Sequence, residues 1–113
     1  MTDCIFCKII RGEIPSQKVY EDEDIFVFKD IQPKGPVHLL LIPKEHWATL
    51  NDVPKNKMDV IGKIFSKAQD LAKETGVAET GYRTLVNTNK HSGQVVFHIH
   101  FHLIGGKTLG PMA

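Results

Sequence analysis

Val96-Phe97-His98-Ile99-His100-Phe101-His102-Leu103-Ile104 is the stretch that decides the fold of this chain. Three histidines alternate with large apolar residues in strict period two. On a β-strand successive side chains point to opposite faces. His98, His100 and His102 therefore share one face, and Phe97, Ile99, Phe101 and Leu103 pack on the other. On a helix the same residues would scatter, so the spacing itself predicts a strand over Val96 to Ile104. A row of three imidazoles that titrate near neutrality is a poor choice for packing and a good one for chemistry.

Three readings fit the row. Histidines two apart on a strand can offer two nitrogens to one zinc ion. Alternatively His100 is a nucleophile whose neighbours bind a phosphate and assist a leaving group. The third reading is three tolerated polar positions on a solvated sheet face. The flanks bear on the choice. No Asp or Glu occurs from Ser92 to Lys107, so the row is not ligand-rich. Ser92-Gly93-Gln94 before it and Gly105-Gly106 after it supply small residues and backbone N–H groups that can cradle an anion.

Working outward, Gly105-Gly106 ends the strand and Thr88 to Gln94 is a polar loop in which His91 is solvated. Tyr82 to Asn87 is a further strand. Upstream, Met58, Ile61, Phe65, Ala68 and Leu71/Ala72 follow helical spacing, with Gly76 as the stop. This one long helix, opened by Asn51-Asp52-Val53-Pro54, needs a sheet to cover. Val37 to Ile42 is nearly continuous apolar, as expected of a central strand. Ile25 to Phe28 and Lys18 to Glu21 are strands joined by the acidic turn Glu21 to Asp24. Ile5, Phe6, Ile9 and Ile10 form a short helix with Asp3 as its N-cap and Gly12 as its stop. The order is helix, three strands, helix, two strands. It predicts one α+β domain over residues 1–113, with an antiparallel five-stranded sheet, one long helix and a short N-terminal helix.

The 113 residues carry a net charge of +1 with no basic stripe, which argues against binding a nucleic-acid polymer. No apolar run is long enough to span a bilayer, and no signal-peptide core opens the chain, so the expected location is cytoplasmic. The only two cysteines form Cys4-x-x-Cys7. In a reducing compartment that pair suggests metal or redox chemistry over a structural bridge. A redox pair would follow a strand, and nothing strand-like precedes Cys4. Half of a tetrahedral zinc site and an idle pair of thiols remain.

His98-Ile99-His100-Phe101-His102-Leu103-Ile104 resembles the defining motif of the histidine triad family. The wider chain is similar to its Hint branch, the histidine triad nucleotide-binding proteins. The likeness runs through Ile5 to Ile10, Phe28 to Ile31, His38 to Pro43, Gly81 to Arg83, Val86-Asn87, Gly93-Gln94 and His98 to Gly106. The resemblance implies a homodimer, its sheet extended across the pair and the long helix at the meeting place, that hydrolyses purine-nucleoside phosphoramidates and releases AMP. It implies His100 as nucleophile, His102 on the phosphate and leaving group, and His98 and His38 orienting the row. Asn87 resembles the phosphate-side asparagine and Asp30 the acid that holds the ribose hydroxyls. Ile5, Phe6, Ile9, Phe28 and Ile31 fall where the family builds its purine slot. Some members hold a structural zinc through two N-terminal cysteines and two histidines, which here are Cys4, Cys7, His46 and His98; no cofactor is required for catalysis. Many members carry a serine after the Gly-Gln pair, and Val95 stands there, so altered leaving-group handling is expected. Two alternatives remain: a non-catalytic purine-nucleotide-binding module, and a zinc-dependent hydrolase with the histidine row as ligands.

Overall fold

In the computed structural model, which describes residues 4–112, the chain runs α1 (Ile5–Ile10), β1 (Lys18–Glu21), β2 (Ile25–Lys29), β3 (Val37–Pro43), α2 (Met58–Glu74), β4 (Tyr82–Val86) and β5 (Phe101–Gly105). Short 3₁₀ turns lie at Leu50–Asp52, Lys55–Lys57 and Lys90–Ser92. The strands form one antiparallel sheet in the order β1-β2-β3-β5-β4, which puts the apolar run of β3 at its centre. Element types and order are those expected from the sequence. Among the described residues no helix is long and apolar enough to cross a membrane.

Alternation along the strands gives the sheet two different faces. Odd-numbered residues Ile25, Val27, Leu39, Leu41, Phe101 and Leu103, with Ile99, are buried beneath α2, which contributes Val60, Ile64, Ala68, Leu71 and Ala72. Even-numbered Phe26, Phe28, Leu40 and Ile42 pack beneath α1 through Phe6 and Ile9. Histidines at even positions of β3 and β5 share the α1 face.

Four local expectations need correction. The paired strand is shorter than the alternating run and begins only at Phe101. Leu41 pairs with Phe101, so the next ladder partner of Ile99 would be Pro43. Proline has no N–H to give to the Ile99 carbonyl, and the Pro43 carbonyl already accepts from His98 Nε2–H. The Ile99 N–H donates instead to the Trp47 carbonyl at 2.7 Å, and Val96 to His98 form a bend outside the ladder. Alternation still holds at Ile99, but Phe97 lies beyond the sheet and is 46% exposed. On α2 the covering face is rotated from the expected one: Val60 and Ile64 are buried, whereas Met58 and Phe65 stand exposed. Asn51 to Pro54 spans the end of one 3₁₀ turn and the cap of the next, and the α-helix starts only at Met58. The expected cap Asp3 lies outside the described residues, and Cys4 is the N-cap of α1, its Sγ accepting from the Cys7 N–H at 3.3 Å.

Candidate active site

Each imidazole of the row has one nitrogen committed to a backbone or ring partner, and that commitment fixes its tautomer. His100 Nδ1 lies 2.9 Å from the His98 carbonyl oxygen. A carbonyl only accepts, so Nδ1 carries the proton and Nε2 keeps a free lone pair. The Lys34 backbone N–H donates to His38 Nδ1 at 2.9 Å, which leaves the proton of His38 on Nε2. His38 Nε2 faces His102 Nδ1 at 2.9 Å and Asp30 Oδ2 at 3.2 Å. His102 Nδ1 therefore accepts, and its Nε2–H is a donor. One acceptor-ready imidazole, His100, stands beside one donor-ready imidazole, His102, with ring centroids 5.1 Å apart.

Burial keeps this row neutral. Desolvation lowers the pKa of His100, His38 and His102, in the last case to about 4, where the neighbouring His100 and His38 act in the same direction. Asp30 opposes the shift at all three. A neutral His100 retains the lone pair that nucleophilic attack requires.

The row opens on a cavity of about 460 Å³ that brings together Asp30, His38, Asn87, Gly93, Gln94, Val95, His100 and His102. Nearly all the polar site residues expected from the sequence thus converge. Within the glycine loop they divide the work. Gln94 is buried and clamps the loop: its Nε2 donates to the Ala48 and Val96 carbonyls, and its Oε1 accepts from the Asn89 N–H. The N–H groups of Gly93 and Gln94 go to Lys90 and Asn89. Among the described residues the Val95 N–H has no protein partner. Asp30 also turns its own loop, Oδ1 accepting from the Gln32 N–H at 2.8 Å.

The apolar positions lie apart from this cavity. Phe6 and Ile9 of α1 and Phe28 of β2 are buried between helix and sheet, with Phe6 edge-on to His100 at 5.2 Å between centroids. Ile5 and Ile31 are exposed, Ile31 at 92%.

His98 turns away from the cavity and is fully buried. Its Nε2 lies 2.8 Å from the Pro43 carbonyl oxygen and so carries the proton. The bare Nδ1 faces Cys4 Sγ at 3.3 Å, Cys7 Sγ at 3.6 Å and His46 Nδ1 at 3.2 Å. All four donor atoms lie within 4.8 Å of one another. Burial and the adjoining Cys4 thiol push the Cys7 thiol up to about 11 in the metal-free state. Two sulfurs and two imidazoles, one with its far N–H held by a carbonyl, are the donor set and outer-shell support that suit tetrahedral zinc.

Lys34 and Pro43 escaped the sequence reading because they act through backbone atoms. Leu85 and Ile104, which also line the cavity, read there as ordinary strand residues.

Comparison with known proteins places this geometry. The family model described as HIT domain matches residues 11–109. The chain is 48% identical over 110 residues to a protein of Escherichia coli named purine nucleoside phosphoramidase, covering 97% of this chain and 92% of that one. A solved HIT family hydrolase from Legionella pneumophila superposes with a TM-score of 0.93 at 47% identity, covering 96% of each chain. A histidine triad protein from Clostridium difficile superposes at 0.95 and 44% identity, over 98% of this chain and 96% of that one.

Proposed function

The chain belongs to the HIT-domain family, and from that premise we propose that it hydrolyses purine-nucleoside 5′-phosphoramidates to AMP and an amine through a nucleotidyl-His100 intermediate. The observation that carries this reading is the hydrogen bond from His100 Nδ1 to the His98 carbonyl, which leaves Nε2 free at the cavity. Attack of Nε2 on phosphorus forms a P–N bond to His100 as the bond to the amine breaks. The amine nitrogen departs with the bonding pair, hydrogen-bonded by His102 Nε2–H, and takes up one proton from solvent. Positive charge developing on the His100 ring is stabilised at Nδ1–H by the preorganised His98 carbonyl. Water then attacks phosphorus, its hydroxyl stays with AMP, its proton returns to solvent, and His100 is restored neutral.

Around that step, Asn87 and the Val95 N–H hold the phosphate and Asp30 the ribose hydroxyls. The purine lies against the α1 side, near Ile5, Phe6, Ile9, Phe28 and Ile31. His38 keeps His102 in its donor tautomer. Steady-state hydrolysis of an adenosine 5′-phosphoramidate with a fluorescent amine tests the proposal, with His100→Ala and an EDTA arm alongside wild type. Turnover that EDTA leaves unchanged and His100→Ala reduces by orders of magnitude supports it. Loss with EDTA would favour the row as metal ligands instead, and an inert wild type that still binds AMP would be a nucleotide-binding module.

Zinc held by Cys4, Cys7, His46 and His98 belongs to the same reading, as a structural ion tying α1 to the sheet. Metal analysis of the purified protein should find about one zinc per chain, as a closed four-ligand site holds. No zinc together with freely titratable thiols would rule it out. Two thiols left as thiols also suit a cytoplasmic location.

The active form is a homodimer. β4 is an open edge of the sheet, and beside it Phe65 of α2 packs on Phe101, the register partner of Val86. The exposed Met58 and Phe65, with half-buried Ile61 between them, form an apolar stripe that a second copy would cover.

A further inference from the structure

The α1 face of the sheet is covered on one half only. Register carries Phe28, Leu40, His102 and Leu85 across the four strands β2, β3, β5 and β4, and one step further His38, Ile104 and Arg83. α1 sits over the β2–β3 half. The cavity opens over the β5–β4 half, walled by Leu85, Ile104 and Val95, the last 85% exposed. With phosphorus at His100 and the nucleoside on the α1 side, this bare half receives the departing amine.

A cation stands at the far end of that half. The connection from β2 to β3 crosses the end of β5, where a Cβ on Gly35 would lie 3.0 Å from the Gly105 carbonyl oxygen. It brings Lys34 into the cavity wall beside His38 and Ile104. Along β5, His100 and Ile104 are four residues, about 13 Å, apart. That distance suits the substituent of an amine whose nitrogen sits near His102. Among the described residues neither Lys34 nor Arg83, which shares a register row with Ile104, has a carboxylate partner. Arg83 donates to the Gly110 carbonyl at 2.8 Å. The Lys34 charge reaches the histidines, since it helps lower the pKa of His38 behind the larger effect of burial. Asp30 is the one acid in the cavity wall, and its oxygens are engaged by the Gln32 N–H and His38.

We propose that Lys34 is a specificity residue that selects amine leaving groups bearing a carboxylate over their neutral amides, with Val95, Leu85 and Ile104 against the rest of the amine. This rests on the phosphoramidase reading above. Lys34 is exposed at the cavity rim, and its ammonium meeting a carboxylate there makes a charge-assisted contact. A neutral amide in the same place loses the charge and keeps the shape.

The test uses two adenosine 5′-phosphoramidates that differ at one group: the nitrogen of alanine as leaving group, and that of alaninamide. The ratio of their kcat/KM values is the readout, because a general loss of activity in a variant cancels from it. Wild type should favour the acid by about fivefold, the upper range for an exposed ion pair. Lys34→Gln should bring the ratio close to one, Lys34→Glu should invert it, Lys34→Arg should preserve it, and added salt should shrink it in wild type. A ratio near one in wild type, or a ratio that survives Lys34→Gln, overturns the proposal while leaving the phosphoramidase reading intact. Failure to cleave either compound overturns both.

Discussion

At the scale of single residues, the site works because each imidazole has a different neighbour for its second nitrogen. His100 gives a proton to a carbonyl, and His38 receives one from a backbone amide. The two rings are thereby forced into opposite roles, and His102 follows His38. Burial, which lowers His102 to about 4 and depresses His100 and His38 below the ordinary value of 6.5, favours the neutral form of all three. Protonation removes the attacking lone pair, so activity should be lost as pH falls, with the acid limb of kcat/KM displaced below 6.5. A pH profile with that limb at or above 6.5 would contradict this account of the row. In the proposed reaction Val95, which lines the cavity, sets an apolar side chain against the leaving group. Val95→Ser restores a donor near the departing nitrogen, and a transition-state donor acts on kcat more than on ground-state binding. Single-turnover and steady-state rates should both rise several-fold for a neutral amine, and an unchanged rate would remove Val95 from leaving-group handling.

At the scale of elements, two helices cover two faces, and what each covers decides whether chemistry is possible there. α2 seals the odd face with Ile64 at 1% exposure. Truncation there leaves a cavity between helix and sheet, so Ile64→Ala should lose about 2–5 kcal/mol in denaturant unfolding. A loss below about 1 kcal/mol would mean that the face can collapse onto the gap. α1, six residues long, leaves part of the other face open, and that gap is the proposed active site. Much of this was legible in the sequence, because strand alternation and the apolar run of β3 report burial directly. The polar half of the site was legible in part for the same reason: alternation puts His100 and His102 on one cavity wall, whereas His98 lies in a bend and turns to the cysteine pair. Three features were not. Phe65 and Met58 have the spacing of a core stripe, and periodicity cannot distinguish a stripe facing the sheet from one facing outward. The strand's true start depends on Pro43, a residue 58 positions from Phe101 that meets it only through the ladder partners. Lys34 positions His38 through a backbone N–H, which every residue but proline carries.

At the scale of the whole molecule, the sheet ends in an open β4 edge beside the Met58–Phe65 stripe, and a second copy is the covering that this geometry suits. Sedimentation should show twice the chain mass for wild type, and Phe65→Lys should shift the population toward monomer. A monomeric wild type at micromolar concentration would contradict the dimer. Stability should also follow pH. His102 is neutral and half-buried in the folded chain, with a pKa of about 4, and ordinary at about 6.5 once unfolded. The unfolded chain therefore binds more protons between those values, and stability should fall as pH drops through that window. The central claim, however, is covalent: phosphorus is transferred to one nitrogen of one histidine. The most direct measurement is to quench the reaction with denaturant within a single turnover and locate the bound nucleotide by peptide mass spectrometry. The account predicts one nucleotidyl group on the peptide carrying the row, assigned to His100 and missing in His100→Ala. Turnover with no label at any time point, or a label on another residue, would contradict it.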